Sequence, residues 1–333
     1  MINPVLVETV RGGIVDLRHR GAVAVSDADG RLVWSTGDVE RPVYPRSAIK
    51  LFQALPLVES GAADRYGLND KQLAFACSSH SAEEGHVSTA EAMLKAAGLG
   101  EADLECGAHW PLFSQQALID FARSGKTPNN LHNNCSGKHA GFLCAACHQG
   151  LEPVGYVNAA HEIQRQARAA QEDMTGFPLG DEMGGIDGCS IPAYAFPLRS
   201  LAYGFARAAT GNRLGVERAK AAKRLMDACM ANPWFTAGTE RFCTRIMEAG
   251  EGRIFAKTGA DGAYVAALPG AGLGIALKCD DGSGQAAEIM LASVLLRLLG
   301  QDDDLRVRLE PLASRTIRNW KGIEVAEMRP VSA

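Results

Sequence analysis

Nowhere does the sequence reach the roughly 20 consecutive apolar residues that cross a bilayer as a helix. Nor does it open like a secretory leader: in MINPVLVETVRGG, Glu8 and Arg11 interrupt a short apolar run, where export needs a basic start and a longer apolar core. The expected setting is therefore cytoplasmic, with no membrane contact. An excess of positive charge is also missing. Lys and Arg total 34 against 38 Asp and Glu, a net charge of -4, and the basic residues are scattered rather than striped. No nucleic-acid partner is expected from such a surface. Disulfide density is lacking too. Nine cysteines in 333 residues is an odd, sparse count, which in a reducing compartment points to buried thiols, metal ligands or nucleophiles. Nucleotide loops are absent as well. A phosphate loop needs glycine where His132 stands and Ser or Thr where His139 stands in HNNCSGKH. GAGLG at 270–274 lacks dinucleotide spacing and reads as a turn.

What is present is ample core material, 47% hydrophobic against 22% charged, enough for one large or two modest domains. GAVAVSD (21–27) and RLVWSTG (31–37) alternate as strands around Asp27, Asp29 and Gly30. From about Ser47 to Ala249 the apolar spacing becomes helical, as in EAMLKAAG, QQALIDFARSGK, HEIQRQARAAQEDM and VERAKAAKRLMDACM. Strand texture returns in RIFAKTG, AYVAALPG and LGIALKCDD. AAEIMLASVLLRLLG (286–300) is apolar on nearly every face, as a helix buried against a sheet would be, and GIEVAEM closes as a strand. The expected architecture is α+β: one antiparallel sheet built from both chain ends, with flanking helices and a large helical lobe. The whole chain, 1–333, is expected to form a single domain, its sheet lobe spanning about 1–45 and 250–333 and its helical lobe about 46–249.

Two short motifs carry chemistry. In RSAIK, Ser47 and Lys50 lie about one helical turn apart and share a face. A serine becomes a nucleophile only with a base, and a lysine serves only when its pKa falls from about 10.4 toward neutrality. Burial or a second cation does that. Far downstream, Lys257-Thr258-Gly259 ends a strand. Ser-x-x-Lys, then a helical insert, then Lys-Thr-Gly on a strand resembles the serine β-lactamases and penicillin-binding proteins. Their middle motif usually ends in asparagine, whereas Ser79-His80-Ser81 stands here. Ser79 is left as a second hydroxyl that relays protons or itself attacks.

The remaining cluster offers metal donors, although spacing alone does not pair Cys135 with the distant Cys189. Cys135 offers a soft ligand with Lys138 and His139 one turn on, and GGIDGCSIP supplies Cys189 beside Asp187. Cys144 and Cys147 form a rival pair, but HAGFLCAAC is so apolar that both read as core thiols.

Together RSAIKLFQALPLVESG, CSSHS, NNCSGKHAGF and GGIDGCSIPAYAFP resemble the rhizobial-type L-asparaginases of the asparaginase II family, over nearly the whole chain. That resemblance implies a serine β-lactamase-like fold, hydrolysis of L-asparagine to aspartate and ammonia, a homodimer, and zinc. It implies two serine–lysine pairs, Ser47 with Lys50 and Ser79 with Lys257, and zinc on Cys135, Lys138 and Cys189. Arg46, His139 and Asp187 fall where the family contacts its amino-acid substrate. The expected reaction is attack by Ser47, with Lys50 as base, through an acyl-enzyme. Its rivals are a glutaminase of related fold and a zinc-bound amino-acid-binding protein without turnover.

Overall fold

The computed structural model describes residues 2–301 and 303–331. Its main sheet has eight strands: β1 (Val5–Arg11), β2 (Ile14–Asp27), β3 (Leu32–Thr36), β4 (Phe255–Thr258), β5 (Ala263–Leu268), β6 (Leu273–Cys279), β7 (Arg315–Arg318) and β8 (Glu324–Pro330). The order is β7-β8-β1-β2-β6-β5-β4, with β3 also on β2 and the pairings antiparallel. The seam between the two chain ends is the β2–β6 ladder, running from Leu273 opposite Asp27 to Cys279 opposite Gly21. This is the α+β sheet that the alternating segments at both ends predict.

Four helices cover the sheet or position the site: α1 (Asp70–Ala76), α2 (Ser136–His148), α3 (Leu198–Thr210) and α4 (Gly284–Leu298). All six residues of β5 are buried, so the sheet is covered on both faces there. The cover comes from α3, packed on β2, β5 and β6, and from α4, packed on β5, β6 and β8. The apolar character of α4 on most of its circumference, with Gln285 and Arg297 left exposed, follows from that position.

The segment SAIKLFQALPLVESG differs from the single helix that its spacing predicts. It breaks into a 3₁₀ turn at Arg46–Ile49 and two short helices, Lys50–Gln53 and Leu55–Glu59. Pro56 has no N–H to extend the preceding turn, so the break falls there. Two small ladders also interrupt the helical stretch. Pro42–Val43 pairs with Phe196–Pro197, and Gly184–Ile186 pairs with Pro192–Tyr194. The second makes GGIDGCSIP an anchored hairpin, its tip closed by Asp187 N–H donating to Ile191 O at 2.9 Å.

Packing of α2 on α1 sets up the site. Eleven of the thirteen α2 residues, Ser136 to Ala146, are buried. A Cβ on Gly137 would lie 2.2 Å from the carbonyl oxygen of Phe75, so only glycine lets the first turn of α2 meet the end of α1. Gly137→Ala should therefore cost on the order of 3 kcal/mol through forced separation of two backbones. A thermal melt should show a midpoint several degrees lower, and an unchanged midpoint would show that this contact is loose.

Candidate active site

The close approach of α1 and α2 places CSSHS against NNCSGKH. The stretch after α1 is stitched down by Ser79 N–H to Thr236 O at 3.0 Å and His80 N–H to Asn134 O at 3.1 Å. The His80 ring is part of this frame. Its Nδ1 accepts the Ala82 N–H at 3.0 Å, so the proton sits on Nε2, which donates to Ser136 Oγ at 2.9 Å. Burial, with His86 adding to it, holds His80 well below the usual imidazole range, so it remains a neutral strut. Ala82 itself adopts φ 58°, an unfavourable left-handed conformation that the strut maintains.

Ser79 is the meeting point of two buried lysines. Lys50 Nζ lies 3.0 Å from its Oγ and Lys257 Nζ lies 2.9 Å from it. Lys50 also donates to the carbonyl of Ser78 and reaches Cys135 Sγ at 3.1 Å. Ser79 is only 2% exposed, and both lysines are 1% exposed. Burial, with Lys50 beside it, brings Lys257 down to about 7. The amine on the Lys-Thr-Gly strand is therefore the one poised to change charge near neutrality.

Ser47 lies on the wall of a cleft of about 1490 Å³ that it shares with Ser79, Thr258 and Asp261. It is half-buried, and among the described residues its side chain makes no hydrogen bond to either lysine. Its segment is held by β4. A Cβ on Gly259 would fall 2.1 Å from the Pro45 carbonyl oxygen, so the glycine of Lys-Thr-Gly lets the strand end abut the turn that bears Ser47. Among the described residues the backbone N–H groups of Ser47 and Ala260 have no hydrogen-bond partner, and both residues line the cleft.

Arg46, directly before Ser47, has φ 52°, a costly conformation for a residue with a side chain. Its guanidinium bonds Asp187 Oδ1 at 2.9 Å through Nε and Asp261 Oδ2 at 2.8 Å through Nη1. Burial works against the Asp187 charge, but Lys138 and Arg46 outweigh it and hold the carboxyl below its ordinary range. Asp261 carries no sequence signal. It follows the Lys-Thr-Gly turn without any motif of its own, and only the fold brings it to Arg46.

Cys135, Lys138 and Cys189 also converge. Lys138 Nζ lies 3.0 Å from Cys189 Sγ, and Lys50 Nζ lies 3.1 Å from Cys135 Sγ. The neighbouring Cys189 thiol, with Lys50 and Lys138 and against burial, holds Cys135 well below the usual thiol range. Cys144 lies instead in the core, its thiol directed at Met93 O, and Cys147 is half-buried in the same helix. His139 is fully buried. Its Nδ1 is 2.6 Å from Tyr156 OH, while Nε2 has no partner among the described residues. Tyr156, seventeen residues downstream, belongs to no motif that would single it out.

A buried serine between two lysines, beside a cleft that a second serine lines, brings two hydroxyls and two amines into one site. The chain belongs to the L-asparaginase II family, whose profile matches residues 7–330, and it is an asparaginase-type hydrolase. No curated protein matches the sequence. Among solved structures it is similar to a β-lactamase/D-alanine carboxypeptidase from Pseudomonas syringae, with 13% identity, 84% of this chain and 94% of that one covered, and a TM-score of 0.44. It is also similar to a β-lactamase from Mycobacterium bovis (14% identity, 83% and 94% covered, TM-score 0.40) and to a class C β-lactamase from Rhodobacter sphaeroides (15%, 88% and 93%, 0.37). No helix among the described residues is long and apolar enough to cross a membrane.

Proposed function

We propose that this protein hydrolyses the side-chain amide of L-asparagine to L-aspartate and ammonia. The observation that carries the reading is the Ser79 hydroxyl held between Lys50 and Lys257, beside the cleft that Ser47 lines. Ser47 attacks the amide carbon, because its Oγ is the accessible hydroxyl and has no competing lysine bond. With substrate bound its proton passes to Lys50, three residues on, which without substrate is turned to Ser79 Oγ. Lys50 becomes a usable acceptor by handing a proton through Ser79 to Lys257, across contacts of 3.0 and 2.9 Å. The same chain in reverse delivers a proton to departing ammonia. The free N–H groups of Ser47 and Ala260 receive the oxyanion. Water then opens the ester.

The Arg46–Asp187 pair receives the substrate's α-carboxylate and α-ammonium. Succinamate, which lacks the α-amine, should accordingly be hydrolysed far more slowly than asparagine, since Asp187 would lose the substrate ammonium and keep only its bond to Arg46. Ammonia release from asparagine, glutamine and succinamate by the purified protein tests the proposal. Release from none of them would leave only a binding role, and a preference for glutamine would move the substrate one methylene further out.

Zinc is proposed at Cys135, Lys138 and Cys189. The donor set fits: two buried sulfurs and one amine converge, and Lys50 and Lys138 beside Cys135 favour its thiolate form. Bound there, zinc supplies a positive charge that locks the start of α2 to the Gly184–Tyr194 hairpin. The chain's own part is to hold Asp187, two residues from Cys189, against Arg46. Cys135→Ser, Cys189→Ser and Lys138→Arg should each remove one equivalent of zinc, because neither a hydroxyl nor a guanidinium replaces the lost donor. Cys144→Ala and Cys147→Ala should retain it, as elemental analysis of the five variants would reveal.

A further inference from the structure

A second set of metal-ligating groups, none of them lining the cleft, shares no residue with the Cys135 cluster. The β2–β6 register puts Cys279 opposite Gly21, and His19, two residues before Gly21, projects to the same face of the sheet. Asp281 follows in the turn that leads into α4. Cys279 Sγ is 3.0 Å from Asp281 Oδ1, and His19 Nδ1 is 2.6 Å from Asp281 Oδ2. One ligand atom from each residue lies within 4.8 Å of the others. His19 is 7% exposed and Cys279 fully buried, whereas the Asp281 side chain is 47% exposed, so the group is closed on the sheet side and open to solvent on the other.

We propose that His19, Cys279 and Asp281 form a metal site for a divalent ion of intermediate softness, zinc or cobalt(II), with water completing the coordination. A thiolate, an imidazole and a carboxylate are the three donor types that such ions accept together, and each is oriented before the ion arrives. The Ser283 N–H holds Asp281 Oδ1 at 2.9 Å, a fixed outer contact of the sort that aims a ligating carboxylate. His19 Nε2 is buried without a hydrogen-bond partner among the described residues, so no acceptor-demanding contact at Nε2 opposes moving the ring proton there when Nδ1 takes the ion in place of its bond to Asp281. On uptake the Cys279 thiol gives its proton to solvent, and the neutral imidazole moves the proton it donates to Asp281 from Nδ1 to Nε2, freeing the Nδ1 lone pair for the ion. No electrons move.

A purely structural ion-pair knot is the alternative. It would use His19 and Asp281 but would gain little from a buried thiol, whose S–H is a weak donor. The site also has a route to the cleft. Cys279 N–H donates to Gly262 O at 2.9 Å, and the preceding residue, Asp261, pairs with Arg46 at 2.8 Å. A metal on the turn would brace the loop that steadies Arg46. This placement is independent of which amide the enzyme hydrolyses.

Cobalt(II) titration of the metal-stripped protein, read by elemental analysis and by thiolate-to-cobalt absorption, is the test. The wild type should take up an equivalent that Cys279→Ser and His19→Ala do not. The Cys135→Ser/Cys189→Ser double variant, which leaves the His19 cluster untouched, should still bind one equivalent with the thiolate band. Equal uptake by wild type and Cys279→Ser, or a double variant with no cobalt–thiolate absorption, would overturn the proposal. Were the Cys135 cluster to bind no metal, the wild type would hold a single equivalent, lost with Cys279 and kept in the double variant.

Discussion

Replacing Ser47 by alanine should lower asparagine turnover by roughly 10⁴- to 10⁶-fold, and Lys50→Met should do about as much, because a nucleophile and its base act as one unit. The double variant should then be hardly worse than either single one. Ser79→Ala should cost less, about 10²- to 10⁴-fold, since it removes a proton conduit and leaves the attacking atom in place. The ranking separates the two hydroxyls. Near-normal turnover in Ser47→Ala, with Ser79→Ala inactive, would make Ser79 the nucleophile and Ser47 an accessory on the cleft wall. The lysine variant needs its own control. Lys50 bonds Ser78 O, Ser79 Oγ and Cys135 Sγ, so losing it leaves buried acceptors unpaired, at a cost of roughly 1–3 kcal/mol. Rates should therefore be compared well below the melting transition of each variant.

How much of this site can be read from the chain depends on how local each contact is. The serine and lysine positions stand out because each sits in a short motif at a helix start or strand end, although the motif does not say where each side chain points. The sheet is legible for a similar reason: alternation at both ends leaves two half-sheets with no other partner. What the sequence conceals is long-range. Nothing in RSAIK says that Lys50 turns toward Ser79 and Cys135 rather than Ser47, because that direction is set by the packing of α1 on α2 through Gly137. Asp261 and Tyr156 are silent because their partners lie 215 and 17 residues away with no spacing rule to link them. The break at Pro56 has a local cause, yet the helical periodicity around it masks it. The hairpin around Asp187 is hidden in the same way, by glycines that read equally well as a loop.

The pH profile carries the other large effect. Lys257 accepts a proton only as a neutral amine, and burial beside Lys50 brings it down to about 7. Below that value it is an ammonium and the relay from Ser47 has no terminus. Above it the amine is free and the relay opens. Turnover should therefore rise with pH along a limb centred near 7 and flatten on the alkaline side, until the substrate's own α-amine loses its proton. Asp187 cannot supply that limb, because its carboxyl is already held below the ordinary carboxylate range and stays ionised throughout. Lys257→Met should reduce the plateau about 10²- to 10⁴-fold and abolish the limb together. Lys257→Arg keeps a positive charge on the strand and tests the sign directly. A guanidinium cannot give up its proton near neutrality, so this variant should be as slow as the methionine one. Rates of ammonia release measured from about pH 5 to about pH 9 would check all three proteins. A wild-type plateau extending down to about pH 5, or full activity in Lys257→Arg, would show that the proton from the nucleophile goes elsewhere.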